Sequence, residues 1–167
     1  EDGPDEKMAD KSYKYLNWNL LDKEDMPLVD TFNSVRLDEF YAEAEARIAE
    51  MKAQGADLIV VFLHWGTEYE EAANSEQKAI AKKMCDLGVD VLIGGHSHTV
   101  EPTEKVVSSD GTRNMLCFYS LGNYTSAQNR ATFKAGTSYA WLTENELMAK
   151  FVVRKYSTGE TVVINAQ

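Results

Sequence analysis

A chain of 167 residues with 44% apolar and 26% charged side chains is long enough to bury a core and too apolar for disorder. Its 27 acids outnumber 17 bases to give a net charge of −10, which leaves no basic stripe for phosphates and argues against a nucleic-acid partner. The longest apolar run, Leu58 to Leu63, falls far short of the ~20 residues of a membrane-spanning helix.

The opening EDGPDEKMADK is acidic and polar, and it predicts a flexible lead-in over residues 1–14 followed by a single domain over 15–167. The first residue is a glutamate and no secretory pattern follows it. The expectation is therefore a piece of a longer protein whose N-terminal half, with any targeting or anchoring segment, lies upstream.

From Leu37, apolar residues recur at Tyr41, Ala44, Ile48 and Met51, which is helical spacing. Asp38 and Glu39 suit the first turn and Gly55 the stop. Residues 57–63 then form a short apolar run, the mark of a strand buried on both faces. Ser75 is a candidate cap for the next helix, whose apolar face carries Ile80, Ala81, Met84 and Leu87 and which Gly88 ends. A second apolar strand follows, Val89 to Ile93.

Strand, helix and strand in short succession make a βαβ unit. Its crossover forces the two strands to run parallel and to end at one edge of the sheet. His64 follows the first strand, and His96 and His98 follow the second, so all three histidines of the chain are expected at the carboxyl edge. Open α/β sheets place their sites there.

Beyond this point the pattern turns antiparallel. EKVVS and MLCFYS flank SDGTRN, an Asp-Gly hairpin signal, and LMAKFVVRK and TVVINA flank YSTGE around Gly159. Residues 124–145 are polar and predict loop with short strand pieces. Cys85 and Cys117 follow no metal-type spacing, and each sits among apolar neighbours as a buried free thiol.

A lone histidine after a strand is more often structural than a ligand, and His64 alone is no exception. His96 and His98 are stronger, because positions two apart on an extended segment turn both imidazoles to one side. Gly94 and Gly95 clear side chains where the backbone must bend past a bound ion. Imidazole suits zinc, iron, manganese or nickel. Three histidines suffice for an open zinc site, whereas a two-metal site needs a bridging carboxylate. The chain has no Asp-x-His and no Asn-His pair.

FLHWGTEY, GVDVLIGGHSHTVEPTE and YSLGN together resemble the C-terminal motifs of the CapA-type poly-γ-glutamate capsule-synthesis proteins, of the calcineurin-like metallophosphoesterase superfamily. The resemblance covers about residues 37–167. It implies an α/β fold, the C-terminal half of a metallophosphoesterase-like four-layer α/β/β/α sandwich, in which the βαβ unit is followed by antiparallel hairpins. It also implies a di-metal centre with His64 and His96 on one ion and His98 on the other, the Asp ligands, bridging acid and catalytic histidine being supplied by the family's N-terminal half. Gly95 and Ser97 stand where the family's common Gly-His-His-Pro-His has a histidine and a proline, which brings the motif closer to that of 5′-nucleotidase-type phosphoesterases.

Glu68 is placed to reach a metal-bound water or a substrate cation, or else is a surface acid. Glu104 matches a family acid expected to orient a ligand histidine. Asn123 sits at a strand end beside Gly122, where turn formation is the plainer role. Trp65 either walls the pocket or packs in the core.

The functional expectation is the C-terminal part of a capsule-biosynthesis protein with metal-dependent hydrolase-like chemistry on an anionic polymer or a phosphoester. A divalent transition metal of the Zn, Mn or Fe type would serve it, as two ions in the full-length protein and one or none in this stretch, which alone would be inactive. Its place would be the extracytoplasmic bacterial cell surface, anchored in the membrane through the N-terminal part. The alternatives are a 5′-nucleotidase-type metallophosphoesterase and a non-catalytic scaffold that handles polymer.

Overall fold

The computed structural model describes residues 34–166 together with Glu24 and Phe32; the lead-in expected over 1–14 lies outside the described residues. The chain divides into two compact units, residues 1–44 and 45–167. In the first, Phe32 stacks on Phe40 with ring centroids 4.6 Å apart, at the start of helix α1 (Leu37–Ala53).

The second unit is built on a four-stranded sheet. Its strands are β1 (Val60–Trp65), β2 (Val91–His96), β3 (Thr103–Val107) and β4 (Asn114–Phe118), in the order β1-β2-β4-β3. Helix α2 (Ser75–Leu87) joins β1 to β2, and those two strands are parallel, as a βαβ crossover requires. Strands β3 and β4 form the expected antiparallel hairpin, and β4 adds parallel to β2. The result is the mixed α/β, parallel and antiparallel arrangement expected of part of a metallophosphoesterase-like fold.

That last pairing was not legible in the sequence, and it matters for the site. It brings the C-terminal end of β4, with Leu121, Gly122 and Asn123 behind it, to the same edge as the ends of β1 and β2.

Both buried strands begin and end later than their apolar runs suggest. β1 includes His64 and Trp65, and β2 runs to His96, because strand pairing continues past the apolar stretch: His64 lies opposite Gly95 and Trp65 opposite His96. Side chains alternate along β1, with Leu63 and Trp65 buried and Phe62 and His64 exposed.

The cap of α2 is Asn74 rather than Ser75. Its side chain accepts from the Gln77 amide nitrogen at 2.8 Å while the Gln77 side chain accepts from the Asn74 backbone at 2.9 Å, a reciprocal capping box that Ser75 cannot form from inside the first turn. Gly88, at φ 99, ends the helix in the left-handed region. Ile80, Ala81 and Met84 are buried as expected, joined by Gln77 and Cys85, and the helix packs on β3 and β4.

The second hairpin stands as a separate two-stranded sheet, β5 (Phe151–Lys155) and β6 (Thr161–Ala166), with a register shift at Val152/Val153. Residues 124–145 hold turns and one 3-10 turn, Leu142–Glu144, in place of the expected strand pieces; isolated bridges at Leu121 and Gly122 are the only ladder pairing flanking that stretch. Both cysteines are free and buried, and burial pushes the Cys117 thiol up to about 12, which keeps it inert. Among the described residues no helix is long and apolar enough to cross a membrane.

Gly94 fixes how closely β2 approaches its neighbours. The Trp65 indole donates to the Tyr119 carbonyl at 2.9 Å across its face, and a Cβ at Gly94 would overlap both groups. Gly94→Ala is therefore expected to cost about 1–3 kcal/mol, read from denaturant unfolding. Gly95→Ala, with nothing within 4 Å of the new methyl, should leave the packing unchanged.

Candidate metal centre

The three histidines meet at the carboxyl edge, though not by the route that spacing suggests. β2 stops at His96, and both His96 and His98 have left-handed backbone, φ 118 and φ 59, so the segment is not extended. Strand alternation would put His96 on the buried side with Trp65, its partner in the register. The left-handed turn breaks that alternation, and the ring comes to His64 instead. His96 Nδ1 lies 3.0 Å from His64 Nε2, with ring centroids 4.6 Å apart. The His98 ring lies 6.3 Å from that of His96.

Tyr69 is the third non-glycine residue with left-handed backbone among those described, at φ 67. All three belong to the two loops at this edge. Such strain persists where the surroundings over-determine it, and it concentrates at functional sites. Here the loops are tied directly, the Tyr69 amide donating to the Ser97 carbonyl at 2.7 Å.

Electrostatics favour the neutral form of His64. Partial burial holds the His64 pKa below its ordinary value, and the neighbouring His96 and His98 add to the effect. Neutral imidazoles offer lone pairs, which a metal ion or a shared proton can use.

His98 is oriented by Asn123. Nδ1 lies 2.8 Å from the Asn123 Oδ1, while the Asn123 amide nitrogen donates to the Thr143 carbonyl at 3.1 Å. A carbonyl oxygen cannot donate, so Nδ1 carries the hydrogen and Nε2 keeps the free lone pair, the arrangement usual for a ligating histidine. Asn123 thus holds His98 as well as standing in a turn. Glu68 is exposed, and no hydrogen bond joins it to a histidine among the described residues. Glu104 accepts from the Tyr119 hydroxyl at 2.9 Å, so the hydrogen bond it makes orients a tyrosine rather than a histidine. Trp65 belongs to the core.

Two groups escaped the sequence reading. Gln77 is buried and donates to Glu101 Oε2 at 2.7 Å, which links the α2 cap to the histidine loop. The Asn-x-x-Gln spacing of a capping box was there to be read. Glu101 is 2% exposed, and its Oε1 has no hydrogen-bond partner. From sequence it is one of two acids flanking a proline, with nothing to mark it as buried.

The donors fit a transition-metal ion in part. Two imidazole nitrogens 3.0 Å apart match the spacing of neighbouring ligands at bond lengths of about 2.0–2.1 Å, while the third histidine ring stands 6.3 Å from that of His96. No carboxylate joins them: among the described residues no group of three or more His, Cys, Asp or Glu is arranged to hold a metal ion.

The carboxyl edge of an α/β sheet is where such folds carry their sites, and the sequence places this one in a family. The profile of the bacterial capsule synthesis protein family PGA_cap matches residues 3–128, and the chain belongs to that family. It is 34% identical to the PGA biosynthesis protein CapA of Bacillus subtilis (strain 168) over 113 residues, 67% of this chain and 25% of that protein. It is 37% identical to the capsule biosynthesis protein CapA of Bacillus anthracis over 83 residues, 50% of this chain and 19% of that protein. A shorter match, 30% over 70 residues, or 41% of this chain and 5% of the relative, joins it to the trifunctional nucleotide phosphoesterase protein YfkN of Bacillus subtilis (strain 168). The chain thus spans a quarter or less of the length of these relatives.

Burial raises the Glu101 pKa above its ordinary 4.5, opposed by the hydrogen bond from Gln77. The native state then holds a proton that the unfolded state has released, so this group's contribution to stability falls as pH rises through that window. Glu101→Gln keeps an acceptor for Gln77 and removes the titration. The stability of the unsubstituted chain relative to Glu101→Gln should therefore be highest below pH 4.5 and decline as the pH rises above it, as measured by denaturant midpoints; a difference independent of pH would refute the assignment.

Proposed function

We propose that this chain is the histidine-bearing part of a metal-dependent hydrolase-like site in a capsule-biosynthesis protein. The observation that supports it most is the pair of facing imidazole nitrogens, His64 Nε2 and His96 Nδ1, 3.0 Å apart at the sheet's carboxyl edge. His64 and His96 would hold one ion, and His98, fixed by Asn123, would serve a second position. A divalent ion of the Zn, Mn or Fe type bound there would supply Lewis-acid chemistry at a phosphoryl or an amide centre. Three imidazoles bring no negative charge to balance a divalent ion, so two ions would require carboxylates from the part of the protein outside this chain. This stretch alone would hold one ion weakly and turn over nothing.

The capsule relatives support an anionic polymer as the whole protein's substrate and an extracytoplasmic cell-surface setting, to which a membrane anchor outside this chain would hold it. Two other readings each have an observation behind them. The match to a nucleotide phosphoesterase, together with Gly-Gly-His-Ser-His, favours a 5′-nucleotidase-type phosphoester substrate. A net charge of −10 repels a polyanion and favours a non-catalytic scaffold in which bound metal offsets the field.

Elemental analysis after equilibration with zinc tests the proposal. Close to one readily exchanged zinc per chain is expected, largely lost in His96→Ala and on lowering the pH through the histidine range, where protonated imidazole cannot ligate. Aryl-phosphate hydrolysis should be absent. Two tightly held ions, or chelator-sensitive turnover by this chain, would show that carboxylates within it complete the site.

A further inference from the structure

Tyr69, in the turn after β1, adopts a backbone conformation, φ 67, that costs a non-glycine residue free energy. Two sets of contacts hold it there. Its amide donates to the carbonyl of Ser97, the residue between His96 and His98, at 2.7 Å. Its ring stands in a stack: Tyr139 is 4.4 Å away and tilted 10°, and the His98 imidazole is 6.0 Å away and tilted 25°. Phe133 closes the group edge-on, 5.6 Å from both tyrosines. All three aromatic side chains are only half-buried, so burial is a weak reason for the strained tyrosine.

The His98 ring is thus held twice. Asn123 fixes its Nδ1, and Tyr69 lies along its face. Both supports lead back to the turn-rich 124–145 segment, Asn123 through the Thr143 carbonyl and Tyr69 through Phe133 and Tyr139. The Thr143 hydroxyl donates in turn to the Ala140 carbonyl at 2.9 Å, which ties the two supports together. We propose that Tyr69, braced by Phe133 and Tyr139, is a positioning residue that sets the ring plane of His98 and so the direction of its free Nε2. The consequence for metal binding rests on the site proposed above; the consequence for the ring itself does not.

The test reads the His98 imidazole by long-range ¹H–¹⁵N correlation in the metal-free chain, and zinc affinity separately by calorimetry. The unsubstituted chain and Tyr69→Phe, which keeps the stacking face, are expected to show a single Nδ1–H tautomer and equal affinity. Tyr69→Ala and Tyr139→Ala should mix the tautomers and weaken zinc by about tenfold, the lower end of what losing a ligand's support costs. Tyr69→Gly separates positioning from fold stability: it relieves the left-handed backbone, so the melting temperature should hold or rise while His98 still loses its single tautomer. An unchanged His98 spectrum in Tyr69→Gly or Tyr69→Ala would overturn the proposal. Loss of the single tautomer in a protein that binds no zinc at all would uphold the role of Tyr69 and overturn the metal site.

Discussion

Two imidazole nitrogens 3.0 Å apart can hold one proton between them, or one metal ion, but not two protons. The rest of the edge follows from meeting that constraint. Two protonated rings at this distance would repel, and the depressed pKa of His64 expresses the same fact from the proton's side. A neutral His64 keeps a lone pair available at the contact, which is what a metal ion would need to take the place of the shared proton.

The sheet reaches this geometry at some cost. Parallel pairing brings His64 opposite Gly95, not opposite His96, and strand alternation would send His96 to the wrong face. A left-handed turn at His96 corrects the direction, and the next loop residues inherit the strain, with His98 and Tyr69 also left-handed. Stabilisation comes from beneath. Gly94 lets the Trp65–Tyr119 hydrogen bond close across β2, and the Asn74–Gln77–Glu101 chain ties the start of α2 to the histidine loop. Glu101 keeps one oxygen without a partner, a further sign that this region is arranged for more than its own stability.

The sequence was informative where a single physical rule decided the outcome. The βαβ crossover alone, by making β1 and β2 parallel, brought three distant histidines to one edge, and Gly88 and the Asp-Gly turn marked their elements correctly. It was silent where two rules competed. An i, i+2 spacing implies rings on one side only if the backbone is extended; here the backbone is kinked, and the rings converge for a different reason. Glu104 was singled out by its match to a family acid, and its bond to Tyr119, 15 positions away and across the hairpin, left no trace in the sequence. Tyr69, Phe133 and Tyr139 share no periodicity, and their clustering depends on the path of the 124–145 segment, which turn residues alone do not determine. Membership of the capsule family was legible because motifs of fixed order and spacing carried it.

The central claim is that His64 and His96 act as one unit at their facing nitrogens. The most direct measurement is the ring ¹⁵N spectrum of the histidines before and after one equivalent of zinc. A coupled pair shows one protonated and one unprotonated nitrogen at the contact in the metal-free chain, and both move together to metal-bound shifts as zinc displaces the shared proton. Zinc that leaves these two nitrogens unmoved, or moves one without the other, would contradict the coupling on which the site depends.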